Sequence, residues 1–171
     1  MMPIMTSEQA QAVLNHLVSY GRGEIGITAK LLSAVPADRL DYKPSDRCMS
    51  AGELVWHLAS ADVAILNGAV DGTFNFKRER PAGTETPAQV AAWYTANANA
   101  ALDRCAGMTG EQAAKVVDFM GAFQQPACGF VTMAFNHSIH HRGQLSSYLR
   151  PMGAKVPAIY GMSADENPFA K

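Results

Sequence analysis

Three of the five histidines in this 171-residue chain fall within five positions, at His137, His140 and His141. On a helix, at about 100° per residue, His137 and His141 lie only about 40° apart, one turn above the other. Two imidazoles at that spacing can bite one cation, the basis of metal sites built on a single helix. Phe130, Ala134, Leu145 and Tyr148 share their arc of about 80°, so the pair is expected to face a helical core. Two imidazoles left unpaired there would be costly. His140 lies about 60° to the other side of His137, which fits a flanking residue better than a ligand.

A metal held by that pair needs a third donor from another segment. His57 is the candidate, because it sits beside Leu54, Leu58 and Ala61 on the inner stripe of a second helix. Taken alone, a histidine there would be read as a hydrogen-bonded core residue. His16 has no such support and is expected to be partly exposed on the first helix. Three neutral imidazoles leave coordination positions open, as catalytic metal sites do, whereas structural zinc usually has four protein ligands. Such a cation can lower the pKa of bound water, or polarise a carbonyl or a thiol. Ser138 follows His137, so the glutamate base of the His-Glu-x-x-His proteases is missing and protease chemistry is not expected. Gln144 points about 20° from His137 and could contact a metal-bound water or simply pack. Glu53, four residues before His57, could face the site as a base, but a helix-capping role already accounts for it.

The elements that must position these residues are helices. Thr6 with Gln9, and Ser50 with Glu53, are capping boxes opening helices that continue to about Ser33 and past Ile65. Thr86, Pro87 and Gln89 start a third helix, expected to run to about Ala106 with Val90, Trp93, Tyr94 and Leu102 inward. Residues 109–126 read as a short helix or an irregular crossover. A fourth helix begins near Ala127 and stops at Pro151-Met152-Gly153, followed by a mostly extended tail. Helix signals recur and convincing strand signals do not, so the expected fold is an all-α four-helix bundle in one domain over residues 1–171.

Composition narrows the classes. Fourteen Lys plus Arg against fifteen Asp plus Glu give a formal charge of −1, which argues against a nucleic-acid partner held by a basic field. The richest apolar run, Ala51 to Val70, is interrupted by Glu53, His57 and Asp62, so no membrane span is expected. The first residues lack the basic and apolar regions of a signal peptide. Cys48, Cys105 and Cys128 form no Cys-x-x-Cys pair and are expected to be reduced core thiols in a cytoplasmic protein. Gly21-Arg-Gly-Glu-Ile-Gly26 matches the dinucleotide pattern G-x-G-x-x-G. That pattern functions only between a strand and a helix, and the residues before it have helical periodicity, so it is read as a glycine-loosened helix.

The block His137-Ser-Ile-His-His-Arg-Gly-Gln144, continuing through Pro151-Met-Gly to Gly161, resembles the C-terminal signature of the DinB family, and Leu54-Val-Trp-His57-Leu resembles its second-helix motif. The resemblance spans essentially the whole chain. It implies a bundle in up-down-down-up order, often a homodimer, with a divalent metal (nickel or zinc in many members) on His57, His137 and His141. It implies metal-dependent hydrolase chemistry on a small molecule, with alternatives. One is a transferase or isomerase that uses a low-molecular-weight thiol. Another is a non-enzymatic, metal-stabilised dimer serving as a stress or binding protein. The family name records DNA-damage induction and does not imply DNA binding.

Overall fold

The structure, a computed structural model, describes residues 5–76 and 79–169. Four long helices dominate it: α1 (Ser7–Ser33), α2 (Ala51–Asp71), α3 (Pro87–Ala106) and α5 (Ala127–Leu149). Between the last two lie a short helix, α4 (Gly110–Ala114), and an antiparallel hairpin of β1 (Val116–Phe119) and β2 (Phe123–Pro126).

Each expected cap is formed. Thr6, Ser50 and Thr86 accept from the amides of Gln9, Glu53 and Gln89, whose side chains reach back to the capping residues. These reciprocal bonds satisfy amide donors that a helix start otherwise leaves open. Thr109 and Gln112 repeat the device in α4. The expected inner residues Val90, Tyr94 and Leu102 are buried, while Trp93 is half-buried against Trp56.

Contacts between helices give their directions. Trp56 meets Trp93 near the starts of α2 and α3, and Arg104 meets Asp71 near their ends, so these helices are parallel. His57 meets His141 while Asp62 meets Ser138, so α2 and α5 are antiparallel. Met5 touches Cys128 and Glu24 binds Arg142, so α1 runs parallel to α5. Arg22 pairs with Asp103, whereas Ser7 abuts Gly110 beyond the end of α3, so α1 and α3 are antiparallel. The order is up-down-down-up, as the resemblance implies.

The glycines of the dinucleotide-like pattern lie inside the unbroken helix α1. Gly21 has a packing reason: a Cβ there would sit 2.2 Å from Cζ of Phe135 on α5. The missing side chain lets the two helices approach, and no phosphate loop exists at this place.

The hairpin is the main departure from the sequence reading. Its three-residue loop places both Met120 (φ 54°) and Gly121 (φ 79°) in the left-handed region. The Asp118 carboxylate accepts the Gly121 amide at 2.6 Å and holds the turn. Phe119 packs with Phe74, Phe76, Phe123 and Phe130, tying the hairpin to α5 and to the segment after α2.

After α5 the chain turns at Gly153 (φ 80°) and packs back along α1. Tyr160 donates to Glu24 at 2.5 Å, and Arg142, 1% exposed, binds both Glu24 and the Tyr160 hydroxyl. Lys30 and Arg150 pair with Glu166 and Asp165 farther along. No helix among the described residues is long and apolar enough to cross a membrane. The glycines Gly68 and Gly72 and the charged segment Lys77 to Arg80 read from sequence as a surface loop. Gly68 instead lies buried in α2, and Gly72 caps that helix. Glu79 and Arg80 are exposed, and Lys77 and Arg78 lie outside the described residues, as do Met1 to Ile4.

Candidate metal centre

His57 projects from the second turn of α2, and His137 and His141 project from successive turns of α5. Because α2 and α5 pack antiparallel, all three imidazoles meet between them. Nε2 of His57 lies 3.1 Å from Nε2 of His141 and 3.2 Å from Nε2 of His137. The three residues can each offer one nitrogen within 4.8 Å of the others.

Protonation follows from the outer nitrogens. Nδ1 of His137 lies 2.7 Å from Oδ1 of Asp62 and must carry the hydrogen, since a carboxylate oxygen only accepts. Nδ1 of His141 likewise donates to Oε1 of Gln144 at 3.0 Å. In the neutral rings the Nε2 atoms of His137 and His141 therefore present lone pairs inward. Nε2 of His57 faces both and has at most one hydrogen, so at least one close pair sets lone pair against lone pair. A cation relieves that. Two nitrogens about 2.0–2.1 Å from a divalent ion, subtending tetrahedral or octahedral angles, are separated by about 2.9–3.4 Å. The donor set fits a metal on distance and on tautomer.

The surrounding contacts fix the rings. Asp62 is 2% exposed, yet it is fully used: besides His137 it accepts from the Tyr94 hydroxyl at 3.1 Å and from the Ser138 hydroxyl. Those three donors offset the cost of burying a carboxylate. Burial, reinforced by the Asp62 charge, pushes the Tyr94 phenol far above its ordinary range, so it remains a donor. On the other side Gln144 donates to Tyr148 at 3.4 Å, and Tyr148 donates to the Met49 carbonyl at 3.2 Å. Burial lowers the His141 pKa, which the Gln144 hydrogen bond opposes. Neutral imidazole is the form a metal needs.

The sequence reading named the three histidines and weighed Gln144, but it missed Asp62 as a support. Asp62 had a signal: it lies four residues after Leu58 and four before Leu66, a charge on the apolar stripe where only a partnered carboxylate survives. Gln144 grips the outer nitrogen of His141 instead of facing a coordinated water. Glu53 caps α2, and its exposed carboxylate pairs with Lys43 at 3.7 Å. Burial at the site belongs to others. His140 is exposed, touching the His141 ring edge at 4.8 Å between centroids, and His16 is exposed on α1, stacked on Tyr20. Cys105 and Cys128 are buried as expected, but Cys48 is half-buried on the connection before α2, its thiol 3.3 Å from the Ser45 hydroxyl.

A cavity of about 260 Å³ opens over the triad, walled by Ala61, Ile65, Phe76, Phe119 and Met133. Among the described residues, the histidines are the only ionisable groups lining it. A second cavity of about 450 Å³ shares the lining residues His57 and Ser60 with it and extends toward Lys43, Arg47 and Cys48.

An up-down-down-up bundle with a three-histidine cluster between its second and last long helices defines the class. The chain belongs to the DinB family, whose pattern it matches over residues 5–168. It is 32% identical over 142 residues to the uncharacterised protein YjoA of Bacillus subtilis, covering 81% of this chain and 90% of that one. It is 26% identical over 154 residues to YrdA of the same organism, also uncharacterised, covering 90% and 91%. The crystal structure of the DinB-like YjoA superimposes with a TM-score of 0.71 at 26% identity, covering 84% of this chain and 97% of that one. A DinB-like protein of Bacillus cereus shares the fold at the same TM-score and 22% identity, covering 92% and 99%.

Proposed function

We propose that the protein is a metal-dependent enzyme that binds a divalent cation, nickel or zinc, through His57, His137 and His141 and acts on a small molecule entering the cavity above them. The observation that carries this reading is the convergence of three Nε2 atoms, those of His137 and His141 lying 3.1–3.2 Å from that of His57, while Asp62 and Gln144 hold the outer nitrogens of His137 and His141. A bound cation with open positions would supply Lewis acidity, lowering the pKa of a coordinated water or thiol or polarising a carbonyl. The protein's own contribution is orientation. Asp62 and Gln144 fix tautomer and ring plane, and the phenylalanine wall restricts water.

Hydrolysis by an activated water is the first reading. The second, transfer or isomerisation using a low-molecular-weight thiol, gains from one feature: no carboxylate lines the cavity over the triad among the described residues. Water attack usually recruits such a base, whereas a thiol is nucleophilic once deprotonated. A third reading is a non-enzymatic, metal-stabilised homodimer. It predicts dimers by light scattering and no turnover with any substrate class.

The test is metal analysis of untagged protein beside His141→Ala. Near-stoichiometric metal in the parent and its loss in the variant support the ligand set. Equal, negligible metal in both defeats it. Ester and amide panels, and thiols offered with electrophiles, then separate the enzymatic readings by metal-dependent turnover.

A further inference from the structure

The second cavity has a composition of its own. Its wall carries Lys43, Arg47, Cys48, Glu53 and Trp56, and it shares His57 and Ser60 with the cavity over the triad. The charges are unbalanced. Lys43 is answered by Glu53 at 3.7 Å, and that carboxylate also accepts the Ser50 amide at 2.6 Å. Arg47 is exposed and makes no ion pair with any described carboxylate, and its neighbour Asp46 does not line the groove. The groove therefore ends in a surplus guanidinium, a planar fork suited to binding an oxyanion in two-point fashion. The other cavity, past the histidines, is apolar and aromatic. The two cavities thus differ in kind, and His57 and Ser60 line both.

We propose that Arg47, assisted by Lys43, seats the anionic end of a small organic acid whose reactive group reaches the triad past His57 and Ser60. The inference rests on the metal reading and adds the substrate class: a molecule bearing an oxyanion at one end and a metal-directed group at the other. Arg47 and Lys43 are binding residues in this arrangement and stand apart from the coordination chemistry.

The experiment uses cobalt-loaded protein and thiol probes. A thiol that reaches the metal changes the cobalt absorption spectrum, so its affinity is read by titration without turnover. A series of ω-mercaptoalkanoates is compared with mercaptoalkanols of matched length, in the parent and in Arg47→Gln. Because Arg47 is exposed and makes no ion pair with a described residue, the variant should fold, which circular dichroism confirms. The expected result is that, at the length that spans the groove, the carboxylate probe binds about tenfold more tightly than its alcohol partner, roughly the value of one charge-assisted contact. That preference should collapse in Arg47→Gln while alcohol affinity stays the same. Equal affinities for the paired probes at every length, or a preference unchanged in the variant, would overturn the docking role alone. Failure of cobalt to load would sink the metal reading and this inference together.

Discussion

Oδ1 of Asp62 receives the Nδ1 hydrogen of His137 at 2.7 Å, and this single bond joins the buried polar centre of the bundle to the candidate ligands. The carboxylate fixes the tautomer and orients the ring, the part such partners play behind metal-bound histidines. Asp62→Asn keeps the shape and removes the charge. The expected outcome is about 10–100-fold weaker metal binding, measured by chelator competition. Folding should fall by about 1–3 kcal/mol as the Tyr94 and Ser138 hydroxyls lose an anionic acceptor. An unchanged affinity would show that Asp62 serves the core alone.

Cysteine reactivity should divide sharply. The Ser45 hydrogen bond, with Lys43 nearby, lowers the Cys48 thiol, whereas burial pushes Cys105 up to about 12 and also raises Cys128. Iodoacetamide on the native protein at neutral pH should add one group, mapped to Cys48 by mass spectrometry, because the thiolate is the reacting form. Ser45→Ala should slow that modification. Equal labelling of all three cysteines would contradict the burial of the other two.

The Glu24–Arg142–Tyr160 clamp predicts a response to acid. Burial raises the Glu24 pKa, but hydrogen bonds from Tyr160 and Arg142 outweigh it and hold the group below the usual carboxylate range. A depressed acid stabilises the fold fully above its unfolded value, near 4.5. That stabilisation is lost as pH falls through the lower folded value. Glu24→Gln should flatten this part of the acid denaturation profile. At neutral pH it should cost about 3–5 kcal/mol, since it leaves Arg142 buried without its carboxylate. Urea titrations across that pH range provide the measurement. Tyr160→Phe should cost about 1 kcal/mol and release the tail to limited proteolysis.

Met120 gives a stabilising prediction. A left-handed backbone costs an ordinary L-residue roughly 1–2 kcal/mol, and Asn-Gly is the favoured pair where both central residues are left-handed. With its side chain 68% exposed, Met120 contributes little packing in return. Met120→Asn should raise the melting temperature by about 2–4 °C for a chain of this size. A decrease would mean that the methionine contributes something the isolated fold does not show.

The legible parts of this protein are those written in short-range chemistry. Capping boxes lie three residues apart, and the arc shared by His137 and His141 needs only the helical repeat, so both are readable from sequence. His57 required a further step, since nothing local distinguishes a ligand from a core histidine until the two helices meet. Asp62 is visible as a charge on an apolar stripe, but its purpose depends on His137, Tyr94 and Ser138 arriving from α5 and α3. The hairpin escaped because its strands have four residues each and its turn is Met-Gly, which no turn preference favours. The family resemblance supplied the order of the helices, which spacing alone leaves open.

The imidazoles ride on two long helices, whereas Phe119 hangs from the hairpin and Lys43 and Arg47 sit on the connection before α2. The candidate ligands and the walls of the cavities beside them are thus carried by separable stretches of chain. Exchanging the hairpin or that connection between relatives should reshape the cavities while leaving the three-histidine cluster intact. A bundle organised this way can vary what its cavities fit without disturbing the cluster between its helices.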